Sequence, residues 1–539
     1  MDSNSLWNLV LICFRVNGVD FLNIDITKHM LLLKKIQLYF QLFPKRVLAL
    51  SLLIIVFTGF KPERESQKIK KYKKLAWSLD LPQLGTLSSP RATDLNGDGV
   101  LDLVMGVGRL EFQAVDTAII AISGKTGELI WKRPAIDQIY GSATLLDINH
   151  DGVDEVLIGG RSATLQAING RNGMLIWDFV EANNLKDQVQ VNYFNFYNPQ
   201  LIPDISGDGL PDIIISNGGD VNKAPYDPNR PTGKLLIIDA SNGKLIKEIE
   251  TPDKREIYHS VTLSNHKQLD EIEVVFGTGG ETIGGGLYVI GLKDILNGNI
   301  KSARVLARNK DKGFIAPAVW ADLNGDGVED IIANAVDGIV YAFEGKTKDQ
   351  LWRVKIPDTE IYSTPAIGHF SNEKTLDVFI SAGKGIWPLL TECLHVMIDG
   401  TTGKIRYQKE FENYQSTSPL VMDINGDGVD EIIICENRKR IGPNGKNIFS
   451  NTIAVIDFTR KGKKTDLILT LDGNNMSSTP WIGDLDNDNL LDIVFSHSKN
   501  PDKGYAFDGI KINLLKTEIP ITKPIKWGAY MGSSYTGRY

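Results

Sequence analysis

Cysteine is nearly absent: the 539-residue chain has three, Cys13, Cys393 and Cys435. That excludes a disulfide scaffold, and the lack of CxxC, CxxCH or vicinal pairs excludes the common thiolate metal sites and covalent haem attachment. A single Cys393–Cys435 bridge is the one pairing left open. Histidine is also scarce, with seven residues and no HxxxH spacing, so no imidazole metal motif is encoded. Basic residues are not in excess, at 59 Lys and Arg against 66 Asp and Glu with a formal charge of −7, which argues against nucleic acid as a partner.

Long apolar runs are lacking except for one, "VLALSLLIIVFTGF" at 47–60. Its 14 residues are short for a membrane span, which needs about 20. With Lys34, Lys35, Lys45 and Arg46 before it, the run suits the apolar region of a secretory signal, or an uncleaved anchor assisted by "IQLYFQLF". Residues 1–46 read as an extension, with Met30 as an alternative start, and 61–74 read as a basic linker. The expected location is outside the cytoplasm: periplasmic, cell-surface or secreted, with membrane attachment through 47–60 as the anchored form.

What is abundant is glycine, 51 residues clustered with Asp and Asn, which marks turns and therefore strands. The stretch "DLNGDGVLDLVMG" from Asp94 carries side-chain oxygens at every second position and glycine at the sixth, like a helical calcium loop. Its twelfth residue is Met105, however, where such a loop needs a bidentate Glu, and a short apolar run follows in place of an amphipathic helix. The stretch recurs from Asp147, Asp204, Asp322, Asp423 and Asp484. Two double-length gaps hold worn copies, placed at Leu263 and His369. A proline precedes most copies by four or five residues: Pro90, Pro199, Pro317, Pro365, Pro419 and Pro480.

A second signature follows each run, as in "ISGKTGELIWK" and "INGRNGMLIWD": a strand, a tight turn and a strand ending in Trp131, Trp177, Trp352 or Tyr407. Each unit is thus four strands, A to D, and a repeat of this kind at 47–61 residues predicts β-propeller blades over 75–539. The fold class is all-β, eight-bladed, with seven blades as the fallback because copies four and six are worn. "KLAWSLDLP" at 74–82 resembles a lone D strand and "KWGAYMGSS" an extra A strand, and the two are expected to fasten the ring. The aromatic residues ending the D strands are expected to pack between blades.

Positions one, three, five and nine of each acidic stretch, with the position-seven carbonyl, make an all-oxygen donor set suited to calcium. The sets are Asp94, Asn96, Asp98, Val100 and Asp102; Asp147, Asn149, Asp151, Val153 and Glu155; Asp204, Ser206, Asp208, Leu210 and Asp212; Asp322, Asn324, Asp326, Val328 and Asp330; Asp423, Asn425, Asp427, Val429 and Glu431; and Asp484, Asp486, Asp488, Leu490 and Asp492. Six calcium ions would move the formal charge from −7 to +5. The worn copies, with Leu263, Lys267 and His369 at ligand positions, are expected to bind none.

The pattern P-x3/4-D-x-N-x-D-G-x2-D before a short strand resembles the FG-GAP repeat of integrin-alpha-type propellers. The G-x-T-G-x-x-x-W half resembles blades of quinoprotein dehydrogenases and of the outer-membrane assembly lipoprotein built on that fold. The resemblance covers about 75–530 and implies the propeller and calcium, while function is open because the scaffold hosts many.

Alternating strands put A–B loops and C–D turns on one face, and B–C and D–A loops on the other. The second face carries the variable stretches 217–234, 277–286, 383–393 and 435–449, and "VQVNYFNFYNP" at 189–199. Irregular loops on a rigid scaffold point to a non-enzymatic binding, adhesion or scaffold module taking a protein or glycan there, with Tyr193, Tyr226 and Trp387 as contact residues. The rival reading is a calcium-containing polysaccharide lyase or other carbohydrate-active enzyme, with a base among Tyr226, Lys223 and His259 beside Arg230.

Overall fold

The computed structural model describes residues 69–186, 192–220, 222–371, 374–411, 413–470, 473–500 and 508–539. The expectations for 1–46, 47–60 and the first part of the linker lie outside the described residues. Eight antiparallel sheets follow one another along the chain, and all eight have the strand order A-B-C-D. In the first, A to D are Arg91–Thr93, Asp102–Gly106, Val115–Ile122 and Leu129–Ala135. The apolar runs that follow the acidic turns form the B strands, buried throughout in blades 1 and 2 as a central strand must be. Eight blades, not seven, make the ring.

The ring closes with a strand from the start of the domain. Strand β1 (Trp77–Pro82) pairs with Gly509–Pro520 and completes the last blade as its D strand, as "KLAWSLDLP" predicts. The segment "KWGAYMGSS" behaves differently from its sequence-based assignment. It joins no blade, and instead the chain from Trp527 to Tyr539 runs across the inner edges of several A strands. The Val421 and Ile482 N–H groups donate to the Trp527 and Gly528 carbonyls (2.9 and 2.7 Å), and the Trp320 N–H to the Gly537 carbonyl (2.8 Å). Edge N–H groups that would otherwise face solvent are thereby satisfied. Arg91, buried in this contact, donates to the Ala143 and Tyr530 carbonyls with its guanidinium 4.0 Å from the Tyr535 ring centroid.

A belt of short polar side chains ties neighbouring blades just before the A strands. The Ser89 N–H donates to Ser142 Oγ (3.0 Å), the Ser142 N–H to Asn198 Oδ1 (2.6 Å), and Asn198 Nδ2 to Ser260 Oγ (2.7 Å). On the other side, Thr364 N–H donates to Ser418, Ser418 to Thr479, and Thr479 back to Ser89, at 2.9–3.0 Å. Ala316 occupies the equivalent place before Pro317 and interrupts the belt, and Thr364 Oγ1 is left buried without a partner. These are buried bonds, so Thr479→Val, which keeps the shape and leaves the Ser418 N–H unpaired, is expected to cost about 1–3 kcal/mol in denaturant unfolding.

The D-strand aromatics bolt blade to blade. Trp77, Trp131, Trp177 and Trp352 each donate their indole N–H to a carbonyl in the next blade's C–D turn: Gly124, Gly170, Ala240 and Gly400, at 2.6–2.8 Å. The turn glycine lies flat on the ring: a Cβ at Gly173, whose φ is +72°, would come 2.8 Å from Trp131. Cys393 and Cys435 are both buried and free, so the bridge left open by the sequence is not formed.

Candidate metal centres and the opposite face

All six acidic A–B loops share one hydrogen-bond plan. The position-six N–H donates to the position-one carboxylate at 2.8–3.0 Å, as from Gly99 to Asp94 and from Asn489 to Asp484. The position-seven N–H of Val100, Val153, Leu210, Val328, Val429 and Leu490 donates to the position-five Asp at 2.8–3.0 Å. The position-two N–H donates to the position-nine carboxylate at 2.6–3.1 Å. Each loop therefore wraps its own side-chain oxygens. The wrap requires left-handed backbone at position six, from Gly99 (φ +80°) to Asn489 (φ +62°), and equally at position four, from Gly97 to Asn487. The requirement at position four is legible in G-x-G, H-x-G and N-x-N, and the sequence reading missed it.

Position nine opens strand B in five of the six blades and is its third residue in the last, and it is buried in all six: Asp102, Glu155, Asp212, Asp330, Glu431 and Asp492. Burial, with nearby loop carboxylates adding to it, pushes Asp102, Asp330 and Asp492 up to about 6 and Glu431 up to about 9, and raises Glu155 and Asp212. Asp212 Oδ1, Asp423 Oδ1 and Asp486 Oδ1 are buried with no hydrogen-bond donor. Orphaned carboxylate oxygens in an all-oxygen, multiply acidic loop fit a hard divalent cation. In the last loop, oxygens of Asp484, Asp486 and Asp492 lie within 4.8 Å of one another. That loop has one carboxylate more than the others, and Lys516 pairs with Asp486 and lies 3.9 Å from Asp488. The C–D turns sit beside these loops, as expected: Gly124 N–H donates to Asp102 (3.1 Å), Gly345 N–H to Asp330 (2.9 Å), and Lys125 lies 3.7 Å from Asp98.

The worn copies differ from each other. In blade 6, His369 stands at position one as read, and the buried Asp377 at position nine bonds to Ser371. In blade 4 the sequence register is off by two. Ser264 pairs with Glu273 through two bonds (3.0 and 2.9 Å), as Thr93 pairs with Asp102, so position one is Asn265 in place of Leu263 and position nine is Glu273. No proline precedes this copy to fix the register. A lysine from the next blade, Lys348, meets Glu273 at 2.6 Å.

The opposite face differs from its sequence-based description in two ways. The stretches 383–393 and 435–449 are mostly strand: Asp377–Ile386 pairs with Leu389–Asp399, and Glu431–Ile441 with Asn447–Asp457, making long B–C hairpins. Tyr193 is buried, bonded to Glu248 (2.8 Å) and capped by Lys234, so it presents no free surface. Tyr226 is 64% exposed on the blade 3 loop, and Trp387 is half-buried at a hairpin tip.

Around the mouth of the ring the D–A connections carry tyrosines that sequence reasoning passed over. Tyr140, Tyr197 and Tyr258 follow one another with ring centroids 5.6 and 6.4 Å apart, and Tyr362 and Tyr414 at 6.5 Å. Their signal is the repeated pair Ile139-Tyr140, Phe196-Tyr197, Ile257-Tyr258 and Ile361-Tyr362. Carboxylates lie between them. Glu256 accepts from Tyr258 (3.0 Å) and Arg230 (3.2 Å), and Glu360 accepts from Tyr362 (2.6 Å) and pairs with Lys312. Two of the residues named for a lyase are engaged or enclosed. Arg230 is spent on Glu256 and on the Asp220 and Ala224 carbonyls, and His259 is fully buried, its imidazole pushed down to about 3 by burial.

No protein-family model matches the chain. It is 20% identical over 375 residues to Protein FAM234B of Gallus gallus, matching 62% of this chain and 54% of the relative, and 20% identical over 394 residues to Protein FAM234B of Homo sapiens, matching 65% and 57%. The chain thus spans about half the length of the curated relatives it matches. Among solved structures it is similar to the quinohemoprotein alcohol dehydrogenase from Comamonas testosteroni, with TM-score 0.54, 12% identity, and 84% of this chain and 78% of that chain covered. The likeness is one of fold: an eight-bladed propeller built of four-stranded blades.

Proposed function

We propose that the chain is an exported, non-enzymatic binding or scaffold module. Six FG-GAP-like loops hold calcium and stiffen one face, and the other face takes a protein or glycan. One observation carries the choice of face. Among the described residues, eight large apolar side chains are more than half exposed, and seven lie on the B–C and D–A side: Leu110, Phe112, Ile136, Tyr226, Ile386, Leu389 and Ile441. Exposed apolar groups concentrated on one face mark an interaction surface. The calcium part rests on the six repeated donor sets and their orphaned oxygens, and export rests on the apolar run 47–60.

Contact is tested by placing a photo-crosslinker at Phe112 or Tyr226 and, on the other face, at Met174. A discrete adduct from the first two positions, with the one from Tyr226 lost on Phe112→Asp and none from Met174, is the expected result. Equal labelling from both faces would refute the assignment. A glycan array probed with the same chain separates the two partner classes.

A further inference from the structure

We propose that the hairpins of blades 6 and 7 dock the ring onto an anionic lipid bilayer. At the blade 6 tip, Ile386 and Leu389 oppose each other across Trp387 and Pro388, and the two are 62% and 78% exposed. At the neighbouring tip, Ile441 is 77% exposed. The first tip is held rigidly: the Trp387 N–H donates to Glu360 and the Gly385 N–H to the Asp358 carbonyl, both at 3.0 Å. The apolar groups are therefore presented to solvent at no further ordering cost.

Beside them stand three exposed cations, Lys439, Arg440 and Lys446, for which no acidic partner is found among the described residues. Arg438, one residue away, is by contrast fully engaged by Glu436 and Asp466. Aliphatic tips, a tryptophan and unpaired long basic chains together match the layers of an anionic bilayer. The tips enter the acyl boundary, the indole sits at the headgroups, and the ammonium and guanidinium groups stop at the phosphates. An acidic protein would match the cations and leave the aliphatic tips wet, so charge and apolarity together favour the lipid surface. Blades 6 and 7 lie across an eight-membered ring from blades 2 and 3. A bilayer at that rim leaves Tyr226, on the B–C loop of blade 3, accessible, and the inference does not depend on a partner there.

The test uses the full chain carrying Cys13→Ser, with Leu389→Cys, Ile441→Cys or Met174→Cys labelled by bimane. Cys393 and Cys435 are buried and stay unlabelled. On phosphatidylcholine–phosphatidylglycerol vesicles, the labels at 389 and 441 are expected to shift to the blue and to be quenched by nitroxide-bearing lipids, while the label at 174 is not. Pure phosphatidylcholine is expected to give neither effect. The triple change Lys439→Gln, Arg440→Gln and Lys446→Gln is expected to weaken the docking signal about a hundredfold, at roughly fivefold per basic group near the surface. Docking is refuted if the labels at 389 and 441 stay aqueous, whether the protein floats free or is carried to the vesicles by another segment. A charge-dependent complex with heparin and no vesicle signal would assign the patch to a soluble polyanion instead.

Discussion

A chain cut after Pro520 is expected to lose the folded ring. The removed residues bury Trp527, Ala529 and Met531 and satisfy the inward N–H groups of Trp320, Val421 and Ile482. Loss of a buried tryptophan costs about 3–5 kcal/mol. Arg91 adds a comparable amount. Burial lowers its pKa only to about 10, so it stays charged at neutral pH, and the cut strips it of the Tyr530 carbonyl and the Tyr535 ring. Uncompensating a buried charge costs about 3–5 kcal/mol. Together these approach the whole stability of a domain, about 5–15 kcal/mol. Circular dichroism and limited proteolysis read the outcome, and a truncated chain melting within a few degrees of the full one would show that the segment merely rests on the ring.

Chelation is the second large effect. One ion at a hundredfold excess over its dissociation constant stabilises by about 2.7 kcal/mol. Six such sites, against an unfolding entropy of about 1 kcal/mol/K for a ring of this size, give a fall of about 15 °C in Tm on adding EGTA. The effect has a pH signature. In the metal-free ring, Asp102, Asp330 and Asp492 have pKa values raised to about 6 and Glu431 to about 9, all above their unfolded values. Such groups add stability that is full below the unfolded value and lost as pH rises through 6 and then 9. The metal-loaded ring behaves oppositely, because protons compete with the ion. The EGTA effect is therefore expected to be largest near pH 8 and to shrink towards pH 5. An effect that is constant across this range would contradict it.

The parts of this molecule legible in its sequence are those where a side chain does the work at a fixed offset. Alternate oxygens, a left-handed sixth residue and a buried B strand locate six of the loops, and Trp131 and Trp177 announce the blade contacts they make. The fourth copy slips because its register depends on the Ser264–Glu273 pairing, while its turn carries Lys267 and no proline marker. The hairpin at 435–449 reads as a loop because "ENRKRI" lacks apolar alternation: Glu436 and Asn437 are buried polar residues, while Lys439, Arg440 and Ile441 at the rising end are exposed, so nothing selects a period of two. "KWGAYMGSS" reads as an extra A strand because its bonds run to A strands of several blades, which no local pattern records. The polar belt is legible as Ser-Pro, Asn-Pro and Thr-Pro before the A strands, where the residue ahead of each proline carries the bond to the next blade.

What most directly tests the account is the number of divalent ions carried by the purified ring, read by native mass spectrometry with elemental analysis of the same sample. Six tightly held calcium ions, with one lost on each of Asp102→Asn, Asp330→Asn and Asp492→Asn, is the predicted result. A folded ring that carries none from calcium-containing buffer would contradict it.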